Sequence, residues 1–154
     1  MTDPTLTDEA LLAHALAAAR TSLAEGGIPI GAALAHAGEI LGVGHNRRVQ
    51  DNSAIRHGET DCLENIGRLP ASVYAGSTMV TTLSPCDMCT GAILLYGIPR
   101  VVIGENSNFT GGEDLLRSRG VQVVVLDDAE CTEMMAAFIA DQPQLWHEDI
   151  GEQG

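Results

Sequence analysis

Two cysteines three residues apart, Cys86 and Cys89, stand in the stretch "LSPCDMCTG", directly behind a run with the composition of a β-strand. Upstream, "RHGET" sets His57 and Glu59 on either side of one glycine. A thiol pair of this spacing serves a redox couple, a structural metal clip or a catalytic metal site. In the first turn of a helix the free N–H groups and the positive dipole end favour thiolate over thiol. Two thiolates on one helix face are half of a zinc site. A hydrolytic zinc takes about three protein ligands and keeps one position for water. His57, at the start of another predicted helix, is the candidate third ligand, and Glu59 then lies beside the metal without ligating it. Water on such a zinc ionises near pH 7 instead of about 15.7. Glu59 would take its proton and later deliver it to a leaving group.

Taken singly, these residues say little. Cys-x-x-Cys after a strand also marks thioredoxin-like redox sites, a lone histidine is usually surface or core, and a glutamate near a helix start usually compensates the dipole. All three in order, each at a predicted helix N-terminus, favour catalytic zinc. Structural zinc would need a fourth ligand. Cys62 is the nearest candidate, but it reads as a small apolar side chain, and so does Cys131. From other classes, a dithiol redox protein using Cys86 and Cys89 and a non-catalytic, zinc-stabilised binding module are the rivals.

The elements that must position these groups follow from periodicity. Leu12, Ala15, Leu16, Ala19 and Leu23 recur at helical spacing behind a Thr7 cap, and Gly26-Gly27 ends that helix. "PIGAALAH" and "EILGVGHN" read as a β-hairpin around Ala37-Gly38. "RHGETDCLENIGR" reads as a helix closed by Gly67. "STMVTTL" is a strand, and "PCDMCTGAILLYG" a helix with proline in its first turn. "RVVIGE" is a strand, "GGEDLLRSRG" a short helix and "VQVVVLDD" a strand. A last long helix carries Cys131, Met134, Met135, Phe138 and Ile139 on one face. A hairpin followed by βαβαβ units predicts an α/β fold, a three-layer α/β/α sandwich around a mixed, mostly parallel five-stranded sheet. No linker or repeat divides the 154 residues, so one zinc-binding domain over 1–154 is expected.

Charge narrows the partners. The net charge is −13, with arginine as the sole strongly basic residue type and Arg47-Arg48 its only adjacent pair. Such a surface repels phosphate backbones, so no nucleic-acid partner is expected. No apolar run approaches the ~20 residues of a membrane helix. The N-terminus lacks a signal-peptide pattern, which predicts a cytoplasmic protein with no membrane partner.

His-x-Glu paired with Pro-Cys-x-x-Cys is the signature of zinc-dependent base deaminases. From "HGE", "LENIGRL", "TTLSPCDMCTGAILLYGIPR", "GENSNF" and "DIGE" outward, nearly the whole chain resembles the cytosine deaminases of the fungal type, within the cytidine deaminase superfamily. The resemblance implies a homodimer that holds one Zn²⁺ per chain and hydrolyses free cytosine, and 5-fluorocytosine, in pyrimidine salvage. It implies that His57, Cys86 and Cys89 hold the metal and Glu59 shuttles protons. Asn46 and the Gly58 N–H would bond the pyrimidine carbonyl. The Ser84 carbonyl and Asp149 would accept from the exocyclic amine. Phe109 and Trp146 would wall the base above Ile30, and the segment from Trp146 to Asp149 would close over it. Within the class, another free base such as guanine or isocytosine is the alternative substrate, and adenosine in tRNA a third. Three features depart from the fungal pattern. The hairpin loop at Ala37-Gly38 is shorter, Thr60 stands where an apolar residue is expected, and His147 where an aromatic is expected. The last two bear on substrate preference and product release.

Overall fold

The structure, a computed structural model, describes residues 6–153. Helix α1 (Asp8–Ala24) starts where the Thr7 hydroxyl accepts a hydrogen bond from the Ala10 N–H, and buries Leu11, Leu12, Ala15, Leu16 and Ala19. Strands β1 (Gly31–His36) and β2 (Glu39–His45) form the expected hairpin. Its two turn residues, Ala37 and Gly38, both have positive φ, 52° and 78°. That is the mirror-image turn whose twist matches the flanking strands.

The chain then runs through α2 (Gly58–Ile66), α3 (Ala71–Tyr74), β3 (Ser77–Leu83), α4 (Asp87–Leu95), β4 (Arg100–Glu105), α5 (Glu113–Ser118), β5 (Gln122–Val125), α6 (Ala129–Asp141) and α7 (Pro143–Asp149). The strand order is β2-β1-β3-β4-β5. β1 runs antiparallel to both neighbours, while β3, β4 and β5 pair in parallel. The sheet is therefore mixed, with four of its strands in one direction, as the alternation of elements predicts.

Period-two alternation splits the strands between two cores. Leu34, Met79, Val101 and Val123 lie in register and face α2, α3, α4 and α5. Val80, Val102 and Val124 point the other way, onto α1 and Cys131 of α6. Helices cover both faces. Cys62 and Cys131 are buried among apolar neighbours, as their surroundings in sequence suggest.

Two helices go beyond the sequence reading. α3 is a single turn, and α7 contains the segment from Trp146 to Asp149. Pro143 opens α7, where its missing N–H costs nothing, and Leu145, Trp146 and Ile150 pack onto Ile28, Met135 and Phe138. Two helix starts also shift. His57 is the N-cap of α2, with extended backbone (φ −78°, ψ 174°). Cys86 is the N-cap of α4 (φ −67°, ψ 178°), so Pro85 precedes the helix.

Candidate active site

Both N-caps sit at one place because β3 delivers α4 at its carboxyl end and α2 starts against the same edge, the end where open α/β sheets bind ligands. His57 Nδ1, Cys86 Sγ and Cys89 Sγ converge there. One ligand atom from each residue lies within 4.8 Å of the other two. Among the described residues no other such metal-holding group occurs. His57 Nδ1 is 3.4 Å from Cys86 Sγ, and its other nitrogen, Nε2, lies 3.1 Å from Asp149 Oδ1. A ligand histidine backed by a carboxylate is the usual way to fix the ring's orientation.

Crowding shifts these groups strongly. A hydrogen bond with Cys89, with the His57 imidazole behind it, holds Cys86 at about 4 against its burial. Burial opposes a charged His57, yet Asp149 and Cys86 raise it to about 10. Its bond to Cys86, then burial, pushes Cys89 well above the usual thiol range. The three groups compete for the same protons, and a divalent ion that displaces those protons satisfies all of them. One imidazole and two sulfurs suit zinc, and they leave one tetrahedral position for water. Glu59 is 3% exposed. Burial first, then the negative Cys86, raises it to about 7, tempered by His57, its own N–H and Cys89.

Thr60 acquires a role. Its hydroxyl accepts a hydrogen bond from the His57 N–H at 2.9 Å and donates to the Ile55 carbonyl. The polar residue at this position thus ties down the backbone of the metal-binding histidine. Gly58 is explained by proximity: a Cβ there would meet the Ile30 carbonyl at 3.2 Å. Its N–H lies in the first turn of α2, where no helical partner exists.

Next to the cluster is a cavity of about 20 Å³, room for a water molecule. Ile30, Glu59, Ser84, Phe109, Trp146 and Asp149 line it together with His57 and Cys86. Phe109 and Trp146 meet edge to face, with ring centroids 5.6 Å apart. Asn46 stands behind this wall. Its Nδ2 donates to Asp149 Oδ2 at 3.0 Å, and its Oδ1 accepts from the Arg48 N–H. Asp149 Oδ1 is buried without an in-line hydrogen bond. Leu83 and Ile150, which sequence reasoning did not single out, complete the lining.

Three buried carboxylates support the site, and sequence reasoning missed them. Glu113 accepts from the Ser84 hydroxyl at 2.6 Å, and Ser84 Oγ in turn accepts from the Gly111 N–H. Glu105 accepts from the N–H groups of Ser107 and Asn108 and so shapes the loop before Phe109. Asp61 accepts from Arg47, Arg56 and the His45 N–H, stapling the 46–57 loop to α2. The adjacent Arg47-Arg48 pair in so acidic a chain was the available signal, because each arginine had to meet a carboxylate.

Asp61→Ala is expected to destabilise the fold by about 3 kcal/mol, read as a lower denaturant midpoint at unchanged slope. The cost stays at the low end of the buried-pair range because Arg47 and Arg56 keep roughly a third of their side chains in water.

With this geometry in hand, the comparisons are specific. The family model for the cytidine and deoxycytidylate deaminase zinc-binding region matches residues 5–105. The chain belongs to this family. The cytosine deaminase of Candida albicans is 56% identical over 149 residues, covering 96% of this deaminase and 99% of its relative. The tRNA-specific adenosine deaminase of Bacillus subtilis is 35% identical over 144 residues, covering 87% and 89%. The solved guanine deaminase of Nitrosomonas europaea shares the fold, with a TM-score of 0.73 at 24% identity over 89% of this chain and 87% of that one. This deaminase domain binds zinc, and His57, Cys86 and Cys89 are the described residues grouped to hold it. Those three and Glu59 fall inside the matched span, whereas Phe109, Trp146 and Asp149 lie beyond it. The family model therefore covers the hydrolytic half of the site and ends before Phe109, Trp146 and Asp149.

Proposed function

We propose that the protein hydrolyses free cytosine to uracil and ammonia, and 5-fluorocytosine likewise, as a single zinc-dependent domain. The observation that carries the choice of base is Asp149, a buried carboxylate at the cavity wall whose Oδ1, 3.1 Å from His57 Nε2, still lacks an in-line hydrogen bond. An exocyclic amine supplies one, and the carbonyl of uracil does not. The 56% identical relative, a cytosine deaminase aligned over 96% of this chain, supports the same reading.

When bound by His57, Cys86 and Cys89, zinc supplies Lewis-acid activation of the attacking water. Glu59 is poised near neutrality and takes that water's proton. A C4–O bond forms as Glu59 passes that proton to N3 of the ring; the C4–OH proton then moves through Glu59 to the amine, the C4–N bond breaks as the C4 carbonyl forms, and ammonia leaves. Asp149 and the Ser84 carbonyl accept from the amine. The Asn46 amide and the Gly58 N–H meet the ring carbonyl. Phe109 and Trp146 wall the ring above Ile30, and α7 excludes bulk water. Trp146 and Asp149 of α7, with Ile150 just after it, border the cavity, so α7 swings aside to admit the base and closes behind it.

The reading extends to pyrimidine salvage, a cytoplasmic location and a homodimer. Exposed Leu95 and Tyr96 border a groove with Leu63, Leu69 and Tyr74, which supports a second copy there. No helix among the described residues is long and apolar enough to cross a membrane. A tRNA substrate is disfavoured because Arg47 and Arg48 are paired with Asp61 and Glu148 of the same chain.

Ammonia release from a panel of cytosine, 5-fluorocytosine, cytidine, guanine, isocytosine and adenosine in tRNA tests the assignment. Turnover of cytosine and 5-fluorocytosine alone is the expected result. Release from guanine or tRNA and none from cytosine would overturn it.

A further inference from the structure

Helix α7 is joined to the rest of the described chain by few polar side-chain contacts, and all of them reach Asn46, Arg48 or His57. Asn46 Nδ2 donates to Asp149 Oδ2, and His57 Nε2 lies beside Asp149 Oδ1. Both of those partners belong to the site itself. Arg48 does not line the inner cavity. It lies at the mouth, where a wider vestibule opens outside Phe109 and Ile150. Its Nε donates to Glu148 Oε1 at 2.9 Å, and its Nη1 lies 3.9 Å from Asp149 Oδ1. Its backbone N–H donates to Asn46 Oδ1 at 2.9 Å. One residue thus grips the outer face of α7 by its guanidinium and the Asn46 amide by its backbone.

The anchoring is unequal. Arg48 rides on a loop closed by the Arg47 N–H to Arg56 carbonyl bond and stapled by Asp61. On the other side, α7 is one short helix held otherwise by apolar packing of Leu145, Trp146 and Ile150. The loop is the fixed post and the helix is the moving part. Glu148 is half exposed and Arg48 about one-fifth exposed, so salt weakens the pair between them.

We propose that Arg48 is the latch of the site: a positioning residue that, through Glu148, holds α7 shut and keeps Asp149 and Asn46 in register with each other. This rests on the reading of α7 as a lid over the base. It makes closure salt-dependent, and it assigns to Glu148 a purpose that no contact with the base requires.

The chain's single tryptophan, Trp146, is buried in α7 and reports closure without any substrate. In the zinc-loaded protein, acrylamide quenching of its emission is expected to rise at least two-fold in Arg48→Ala and in Glu148→Gln. The double variant should rise no further than either single one, and Arg48→Lys should recover part of the protection. Raising salt from 0.05 to 0.5 M should increase quenching in the wild type and leave Arg48→Ala unmoved. With cytosine, the KM of either variant should rise about five-fold without a fall in kcat, whereas simple loss of folded protein lowers kcat at constant KM. Unchanged quenching in both single variants, additive effects in the double, or salt sensitivity retained in Arg48→Ala would each overturn the latch. If the wild type deaminates no base, the assigned reaction fails while the quenching series still decides the latch.

Discussion

Glu59→Gln is expected to lower kcat for cytosine by about 10²–10⁴-fold while zinc stays at one per chain. The two side chains are nearly isosteric, and Glu59 is not among the grouped metal donors, so the substitution removes a transferable proton and leaves the donor set intact. Burial lifts the carboxyl to about 7, which lets one group act as base toward water and as acid toward the amine near neutral pH. An amide does neither. Folding stability should hold or rise, since a costly buried acid is gone. Metal analysis beside an ammonia assay checks both halves. Turnover within ten-fold of wild type would remove Glu59 from the proton path. Lost zinc would make it a ligand or a ligand's support.

The hydrolytic half of the site was legible because its residues are local signals. His57 with Glu59, and Cys86 with Cys89, each lie within a few residues at a helix start, where spacing along the chain nearly equals spacing in space. The strands were legible for the same reason: valine-rich runs between glycine and proline can scarcely be anything else. What escaped was long-range or carried by backbone. Asp61, Glu105 and Glu113 look like ordinary surface acids until the fold buries them under arginines, hydroxyls and loop N–H groups. Nothing in the sequence around Glu105 announces that its carboxylate will gather the loop before Phe109. Thr60 reads as a departure from an apolar position, and its role emerges only when its hydroxyl is seen to bridge the His57 N–H and the Ile55 carbonyl. The last segment reads as an acidic tail because Glu148, Asp149 and Glu152 dominate its composition. Its fate is decided by Leu145, Trp146 and Ile150, three apolar residues whose partners lie in β1, β3 and α6 or just before and after them.

Removing residues 145–154 is expected to reduce cytosine turnover at least about 10³-fold while zinc remains bound. The deletion takes Asp149, the proposed amine acceptor, one aromatic wall and the cover over the cavity, and it leaves His57, Glu59, Cys86 and Cys89 in place. Loss of an oriented partner and of water exclusion each costs on the order of 10²-fold. Because the deletion also uncovers Met135 and Phe138, a point variant separates chemistry from folding. Asp149→Asn keeps the shape and the packing. Asn46 Nδ2 already donates to one oxygen of residue 149, so an amide there must turn its own carbonyl to Asn46 and its NH₂ toward both His57 Nε2 and the substrate amine. Donor then faces donor in a buried site, and kcat/KM for cytosine should fall about 10²-fold or more with the unfolding midpoint nearly unchanged. Wild-type activity in both variants would mean that α7 neither closes over the base nor reads its amine. Loss in the deletion alone would leave α7 as cover and pass recognition of the amine to the Ser84 carbonyl.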